Sequence, residues 1–218
     1  MTQHVALERQ PDLAALTDQI SRAVGVSDER ILSAFRGVPR QYFVPEHARG
    51  RAFEDTALPI GWGQTISQPS MVALMLSELD CSPNSRVLEV GSGSGYAAAL
   101  LSRLASSVVG IERHPPLALR ARETLGRLGY DNVAIRCGDG TTAASSGFDR
   151  ILVSAGAAEI PTSLLAALPP LGRLVMPVGG EQEQTLITCQ RDASGTLSWR
   201  KTTRCIFVPL ISDSPVLQ

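Results

Sequence analysis

A glycine-rich run, GSGSG, is the part of this chain best suited to hold a ligand. It follows an apolar stretch that contains Glu89, and it precedes a helix predicted to open at Tyr96. Because glycine lacks Cβ, Gly91, Gly93 and Gly95 can adopt positive φ angles and let the backbone approach a ligand closely. Unpaired N–H groups at the helix start can then donate to ligand oxygens. The run predicts a nucleotide-type site, with a tight structural turn as the simpler interpretation.

Two acidic residues end the next two predicted strands. Glu112 ends the stretch SVVGIE, where its carboxylate can accept hydrogen bonds from both hydroxyls of a ribose. Asp139, which is followed by Gly140, closes the next strand and can accept from an adenine amino group. The competing interpretations are a solvated carboxylate for Glu112 and a plain Asp-Gly turn for Asp139. Ligands of open α/β sheets bind beyond the carboxyl ends of the strands, where all three motifs fall, and this favours a binding site.

The elements that must position these residues alternate along the chain. Such alternation indicates a parallel sheet covered by helices on both faces. After it, two strand-like runs joined by a turn at Gly195 predict an antiparallel edge hairpin. Strands are predicted at 86–90, 107–112, 132–137, 149–154 and 171–177, with helices near 95–104, 115–128 and 161–168 between them.

The region before this regular pattern is different in character. A spacing of apolar residues near 3.6 predicts two short amphipathic helices between residues 10 and 36, with Ser27 or Asp28 as the cap of the second. The segment from there to Pro69 is rich in proline and glycine, which break both the helix and the strand period, so we expect a long irregular segment. It is too apolar for disorder, and it should therefore pack and line a site.

Length and composition limit the possible classes of protein. With 218 residues, 44% of them hydrophobic, the chain is long enough for a single domain over 1–218, in which 1–68 form helices and a covering loop and 69–218 form the core. A formal net charge of −1, without long runs of either sign, indicates neither nucleic acid nor membrane as a partner. We expect no export signal and no membrane span.

The cysteines give a second indication of where the protein works. They are dispersed and form no CxxC pair, which indicates reduced thiols in a cytoplasmic protein and no metal site. Cys137 and Cys189 lie in apolar, strand-like runs, so we interpret both as small buried hydrophobic residues.

Longer segments of the sequence carry a resemblance to a known family. The glycine run preceded by an acidic residue resembles the first motif of S-adenosylmethionine-dependent methyltransferases. Over most of the chain, the sequence resembles the protein-L-isoaspartate O-methyltransferases, and the QTISQP block is the part without a counterpart in other methyltransferases. The resembling segments follow that family's order: VPRQYFVP, AFEDTALPIGWGQTISQPSMVALM, RVLEVGSGSGY, ETLGRLGYDNVAIRCGDG, FDRILVSAGAAEIP, LGRLVMPVG and RCIFVPL.

The resemblance implies a fold, a reaction and roles for individual residues. The fold is a Rossmann-like, doubly wound α/β fold, with a mostly parallel seven-stranded sheet, an antiparallel edge hairpin and N-terminal helices. The reaction is methylation of the free α-carboxylate of L-isoaspartyl residues in damaged proteins and peptides by S-adenosylmethionine. Separately from the resemblance, we expect a monomer, although the sequence itself does not fix the oligomeric state. Ser67 is implied as the active-site hydroxyl. The implied cofactor-binding residues are Gln64, Thr65, Ile66, Ser67, Glu89, Gly91, Gly93, Gly95, Glu112, Asp139 and Gly140, and the implied substrate-binding residues are Thr65, Ile66, Ser67, Val208, Pro209 and Leu210.

This chemistry explains why no obvious proton acceptor is found in the motifs. An α-carboxylate is already ionised at pH 7, so its methylation needs no strong general base, and the three histidines are interpreted as surface or structural residues. Ile60, Trp62 and Ile66 are expected to supply a partly dry environment. Ser67 has a competing interpretation, as the cap of a helix that begins near Pro69.

Three alternative functions remain open from the sequence. One is a related class I methyltransferase that acts on another carboxylate acceptor, which would keep the cofactor motifs but need not keep the QTISQP block. Another is a non-catalytic module that binds a cofactor or a peptide on the same fold. A nicotinamide dehydrogenase is the weakest alternative, because the glycine spacing is not G-x-G-x-x-G.

Overall fold

The computed structural model describes residues 11–142 and 147–212. Its centre is a seven-stranded sheet in which five strands are parallel and the last two are antiparallel, in the order β5-β4-β3-β6-β7-β8-β9. The predicted α/β fold class is confirmed. The sheet strands are β3 (Arg86–Val90), β4 (Ser107–Glu112), β5 (Val133–Cys137), β6 (Arg150–Val153), β7 (Arg173–Gly179), β8 (Gln184–Arg191) and β9 (Leu197–Cys205).

The helices cover both faces of this sheet, as predicted. One apolar core lies between one sheet face and the first five helices, and a smaller core lies on the opposite face beneath α6. Strand β3 serves both cores because its side chains alternate, with Val87 in the larger and Leu88 in the smaller. The helices are α1 (Pro11–Val24), α2 (Glu29–Gly37), α3 (Pro69–Leu79), α4 (Tyr96–Ser102), α5 (Pro115–Arg127) and α6 (Thr162–Ala167).

The order of the strands creates a crevice beyond the carboxyl ends of the central strands. From β3 the chain proceeds outwards through β4 and β5, and it then returns to pair β6 with the other side of β3. At such a reversal the connections leave in opposite directions, which opens a space beyond the strand ends where ligands bind. Glu89, the glycine run and Glu112 all lie at the carboxyl ends of β3 and β4, beside this space.

Two predictions about the ends of secondary-structure elements are also confirmed. Asp28 caps α2, with its side chain accepting from the backbone N–H of Arg30. The hairpin between β8 and β9 is closed by Asp192, whose Oδ1 accepts from the N–H groups of Ser194 and Thr196, while Gly195 takes a φ of 92°. These turns form because short polar side chains satisfy backbone donors locally.

The segment before α3 is more ordered than predicted. It contains two 3-10 turns, Arg40–Tyr42 and Glu46–Arg51, and a short antiparallel hairpin made of β1 (Leu58–Gly61) and β2 (Gln64–Ile66). The prediction of an irregular segment was therefore wrong for the hairpin. Period-2 alternation cannot be recognised in strands of four and three residues, although the glycines on either side of Trp62 mark the turn.

Candidate active site

The glycine run forms a sharp elbow between β3 and α4. Gly91, Gly93 and Gly95 have φ angles of 80°, 53° and 86°, a region that residues with a Cβ rarely adopt. A Cβ on Gly95 would lie 3.1 Å from Cδ1 of Leu125, so this glycine also allows α4 to pack against α5. The elbow is held from below, because the N–H of Gly91 donates to the carbonyl of Ile111 at 2.8 Å.

Glu112 is fixed at the mouth of the crevice by backbone donors. Its Oε2 accepts from the N–H of Gly93 and its Oε1 from the N–H of His114, both at 2.8 Å. Each carboxylate oxygen has two acceptor positions, so capacity remains for hydroxyl donors from a ligand. The carboxylate therefore ties the elbow to the end of β4 and leaves the predicted ribose contact geometrically open.

Asp139 has a different environment from the one that an adenine contact suggests. Its Oδ1 accepts from both the N–H and the hydroxyl of Thr141, and its Oδ2 accepts from the hydroxyl of Ser212 at 3.2 Å. The cavity wall at this strand end is formed by Gly138 and Gly140. Asp139 thus orders the turn, as in the simpler interpretation, and its contact to adenine stays a prediction.

Glu89 is a buried carboxylate beneath the cavity. Its side chain is 1% exposed, Ser154 donates to its Oε1 at 3.2 Å, and its Oε2 has no hydrogen-bond partner within the described part of the chain. Burial raises the pKa of the Glu89 carboxyl to about 8; the hydroxyls of Ser154 and, to a smaller extent, Ser92 oppose this, and the negative charge of Glu112 adds to it. A positive ligand group in this cavity would favour the ionised form of the buried carboxyl, so Glu89 is suited to a cationic ligand.

The β1–β2 hairpin places Ser67 opposite the elbow. Ile60 on β1 lies against the elbow, since a Cβ on Gly93 would be 3.3 Å from its Cδ1. Ser67 follows β2 directly, and it does not cap α3. The N-cap residue of that helix is Gln68, and the N–H of Ser70 in its first turn donates instead to Oδ1 of Asp55 at 2.7 Å. The competing interpretation of Ser67 as a helix cap is therefore wrong.

The segment Phe207–Leu210 closes the crevice on its far side. The N–H of Gly156 donates to the carbonyl of Val208, and the N–H of Leu210 donates to the carbonyl of Gly156. The amide side chain of Gln184 adds two further bonds, because it donates to the carbonyl of Phe207 and accepts from the same residue's N–H. The segment is held extended by backbone bonds to its neighbours.

Three neighbouring cavities meet between these parts. One is lined by the elbow, Glu112, Gly138, Gly140 and the segment Val208–Ile211. A second lies between Ser67, Glu89 and the elbow, and a third lies between Ser67, Arg204 and Phe207. Ser67 and the glycine elbow therefore face a common cavity, as predicted. Thr65 and Ser154 line all three.

Comparison with known proteins gives the family. The sequence matches the profile of the family described as protein-L-isoaspartate(D-aspartate) O-methyltransferase over residues 12–215. A protein-L-isoaspartate O-methyltransferase of Roseiflexus castenholzii is 49% identical over 199 residues, which cover 90% of each chain. The chain belongs to the protein-L-isoaspartate O-methyltransferase family. A second relative, protein-L-isoaspartate O-methyltransferase 2 of Geotalea uraniireducens, is 48% identical over 191 residues, or 87% of this chain and 88% of the relative.

A solved member of the protein-L-isoaspartate O-methyltransferase family supports the fold. A structure from Plasmodium falciparum, assigned to this family and solved in complex with S-adenosyl-L-homocysteine, superposes with a TM-score of 0.79 at 26% sequence identity. The match covers 93% of this chain and 99% of that chain. The described helices of the present chain include none long and apolar enough to cross a membrane, and the residues described contain no cluster of three potential metal ligands.

Two expectations about single residues of this family member were wrong. Trp62 does not help to dry the site: it is 51% exposed at the hairpin turn, with a φ of 52° and its ring beside Arg120. Ile60 and Ile66 are buried, as expected. Cys137 is exposed because it is the last residue of the edge strand β5, although it lies on the same face as the buried Ile135, whereas Cys189 is buried as predicted.

Several residues around the methyltransferase cavities were missed by sequence reasoning. Ser154 follows β6 and reaches Glu89, Gln184 fixes Phe207, and Arg40 contacts the base of the hairpin. The position of Ser154 after a strand that pairs with β3 was a usable signal, since the carboxyl end of every central strand faces the crevice. The contacts of Gln184 and Arg40 join distant segments and leave no local pattern.

Proposed function

We propose that this chain transfers a methyl group from S-adenosylmethionine to the free α-carboxylate of L-isoaspartyl residues in damaged proteins and peptides. The observation that carries the proposal is the common cavity between Ser67 and the glycine elbow. The family of the chain supports the same reaction, and a relative solved with S-adenosyl-L-homocysteine supports the cofactor.

The residues present fit this cofactor. The glycine elbow removes side-chain bulk, Glu112 offers acceptor capacity at the end of β4, and the unpaired Oε2 of Glu89 suits a positively charged group. Gly91, Gly93 and Gly140 would lie against the cofactor, together with Gln64, Thr65 and Ile66 from the hairpin. Gly95, which was also predicted to bind the cofactor, lines none of the three cavities and packs against α5. When bound, S-adenosylmethionine supplies an electrophilic methyl group.

The protein's own contribution to the reaction is orientation and the exclusion of water. Ser67 borders both the cavity at the elbow and the cavity beneath Phe207, so its hydroxyl can donate to one oxygen of an acceptor carboxylate while the other oxygen faces the methyl group. Correct orientation of two reactants can be worth about 7 to 11 kcal/mol. The acceptor carboxylate is ionised at neutral pH, so no side chain needs to remove a proton.

The acceptor peptide is proposed to lie along Val208, Pro209 and Leu210. This segment is already extended and anchored to Gly156, so binding a peptide beside it needs little reorganisation. Thr65, Ile66 and Ser67 would form the opposite side of the groove.

Domain organisation, oligomeric state and cellular location are also part of the proposed function. We infer one methyltransferase domain, with residues 1–68 covering the site and 69–218 forming the core, that works as a cytoplasmic monomer without nucleic acid. Unpaired thiols at Cys81, Cys137, Cys189 and Cys205 support a reducing compartment. Light scattering of the purified chain would test the monomer.

Paired peptides test the reaction itself. The chain is incubated with methyl-labelled S-adenosylmethionine and two peptides that differ only in an isoaspartyl or an aspartyl residue. We expect a base-labile methyl ester on the isoaspartyl peptide alone. Equal labelling of both peptides would contradict the proposed substrate. The same holds if neither peptide is labelled while a small-molecule carboxylate in a parallel reaction is labelled.

A further inference from the structure

A fully buried arginine lies directly behind the active-site serine. Arg40 is 0% exposed, and among the described residues it takes part in no ion pair with a carboxylate. Desolvation by burial lowers the pKa of its guanidinium. A buried charge is costly unless its N–H donors have acceptors, so the groups that accept from Arg40 decide whether it can lie here.

Backbone carbonyls accept hydrogen bonds from both terminal nitrogens of Arg40, whereas its buried Nε has no hydrogen-bond partner among the described residues. Nη1 of Arg40 donates to the carbonyls of Ala52 at 2.9 Å and Glu54 at 3.3 Å. Nη2 donates to the carbonyls of Thr56 at 2.9 Å and Ser67 at 3.0 Å. The rigid fork of one guanidinium therefore gathers four points of the chain on either side of the β1–β2 hairpin.

The two partners of Nη2 define the base of that hairpin. Thr56 precedes β1 and Ser67 follows β2, so a single nitrogen joins the segment that enters the hairpin to the segment that leaves it. On its other side, the guanidinium carbon lies 5.9 Å from the ring centroid of Tyr96, the first residue after the glycine elbow. Arg40 thus connects the backbone of Ser67 to the start of α4.

We propose that Arg40 is a positioning residue for methyl transfer, which fixes the base of the hairpin so that the Ser67 hydroxyl stays aimed at the acceptor cavity. The inference rests on the proposed function. Arg40 touches neither cofactor nor acceptor cavity among the residues that line them, so it acts through Ser67. An apolar residue of similar size could fill the same volume, but it could not hold four carbonyl groups.

The tip of the same hairpin offers a matched control. Nη2 of Arg120 on α5 donates to the carbonyl of Ile60 at 2.5 Å, and its guanidinium lies 5.7 Å from the ring of Trp62. This arginine also holds hairpin backbone, but far along the hairpin from Ser67. Replacing it loosens the tip and leaves the base intact.

The first measurement compares steady-state kinetics of Arg40→Lys, Arg40→Met and Arg120→Met with the wild-type chain on an isoaspartyl peptide. Because Arg40 acts through the Ser67 hydroxyl, its replacement should cost no more than removal of that hydroxyl, so we expect kcat to fall about 5-fold for Arg40→Lys and about 10-fold for Arg40→Met. The affinity for S-adenosyl-L-homocysteine should stay within about twofold of wild type in Arg40→Lys. Arg120→Met should raise KM and leave kcat nearly unchanged.

A double-mutant cycle with Ser67→Ala separates positioning from a general structural role. If Arg40 acts through the Ser67 hydroxyl, Arg40→Lys in the Ser67→Ala background should lower kcat by less than about twofold. If the two single losses in kcat multiply in the double variant, the inference is overturned. A kcat of Arg40→Lys equal to that of the wild-type chain would overturn it as well. If Arg40→Met does not fold, the lysine variant decides.

Wild-type activity distinguishes this inference from the function on which it rests. A wild-type chain that methylates no isoaspartyl peptide overturns the proposed function and this inference together. An active wild-type chain with an equally active Arg40→Lys variant overturns the inference alone.

Discussion

The two sides of the central cavity are built in different ways. On the cofactor side, the elbow and the residues at the ends of β3 and β4 are consecutive in sequence or one strand apart, and they are fixed by sheet bonds. On the acceptor side, Ser67, Arg204 and Phe207 come from distant parts of the chain. That side is held together by side-chain hydrogen bonds from Arg40 and Gln184 to backbone groups.

The difference concerns how each side can fail. The cofactor side is made of backbone in a packed sheet. Adding a side chain there, or leaving a buried charge without a partner, should lower the stability of the protein and its affinity for the cofactor. The acceptor side is made of loops that a few polar bonds hold in place. Removing one of the bonds that position Ser67 or Phe207 should therefore lower turnover. The following substitutions test this separation.

Glu89→Gln is expected to have the largest effect, on the cofactor side. The pKa of Glu89 is raised from 4.5 to about 8 in the folded protein, so between these pH values the folded state retains a proton that the unfolded chain has lost. Folding stability should therefore fall as pH rises through this window, by at most about 1.4 kcal/mol per pH unit, and level off above it. Glu89→Gln should remove this fall, which denaturant unfolding of the cofactor-free protein from pH 5 to pH 9 would measure.

The same variant should lose affinity for S-adenosyl-L-homocysteine, because a neutral amide replaces the buried acceptor of positive charge. The gain in stability and the loss of binding would then have one origin, as is common at functional sites. Parallel stability curves for wild type and Glu89→Gln across the pH window would show that Glu89 does not titrate there.

Gly140→Ala comes next and also tests the cofactor side. A Cβ at Gly140 would lie 2.4 Å from Cγ1 of Val90, a β-branched side chain in the central strand that has little freedom to move. We expect a loss of about 1 to 3 kcal/mol in the free energy of unfolding, with weakened cofactor binding. Gly126→Ala in α5 is the control: its Cβ would meet nothing within 4 Å, so it should stabilise the protein by about 0.5 to 1 kcal/mol. Equal effects of the two substitutions would contradict the close approach at Gly140.

The same division separates what the sequence could predict from what it could not. The elbow, Glu112 and the bounds of β3 and β4 follow from local patterns, because a strand, a turn and a helix start leave their mark within a few residues. The hairpin was missed because its strands are too short to show a period. Trp62 was misplaced because an apolar residue type does not tell whether a turn points inwards. The local turn at Asp139 was among the interpretations of the sequence, but the hydrogen bond that Ser212 donates to it could not be predicted, because the two residues are 73 positions apart.

Ser67→Ala tests the acceptor side and should have a smaller effect. Loss of a hydrogen bond that orients the acceptor carboxylate is expected to lower kcat about 10-fold, or about 1.4 kcal/mol in activation free energy. Affinity for S-adenosyl-L-homocysteine should remain near wild type, since the elbow and Glu112 are untouched. An unchanged kcat would remove Ser67 from the mechanism, and a large loss of cofactor affinity would show that the two sides are not separable.

Asp55→Ala is expected to have the smallest effect and addresses the join between the two sides. The Asp55 carboxylate accepts from the N–H of Ser70 in the first turn of α3, and so it ties the hairpin segment to the helix that packs on the sheet. Its loss should cost about 1 kcal/mol of stability, the usual value of a helix cap, measured by denaturant unfolding. Because Arg40 still holds the hairpin base at Thr56 and Ser67, kcat should fall less than in Ser67→Ala. A fall in kcat as large as that of Ser67→Ala would mean that the position of Ser67 depends on α3 as much as on Arg40, and the acceptor side would then be a continuation of the packed core.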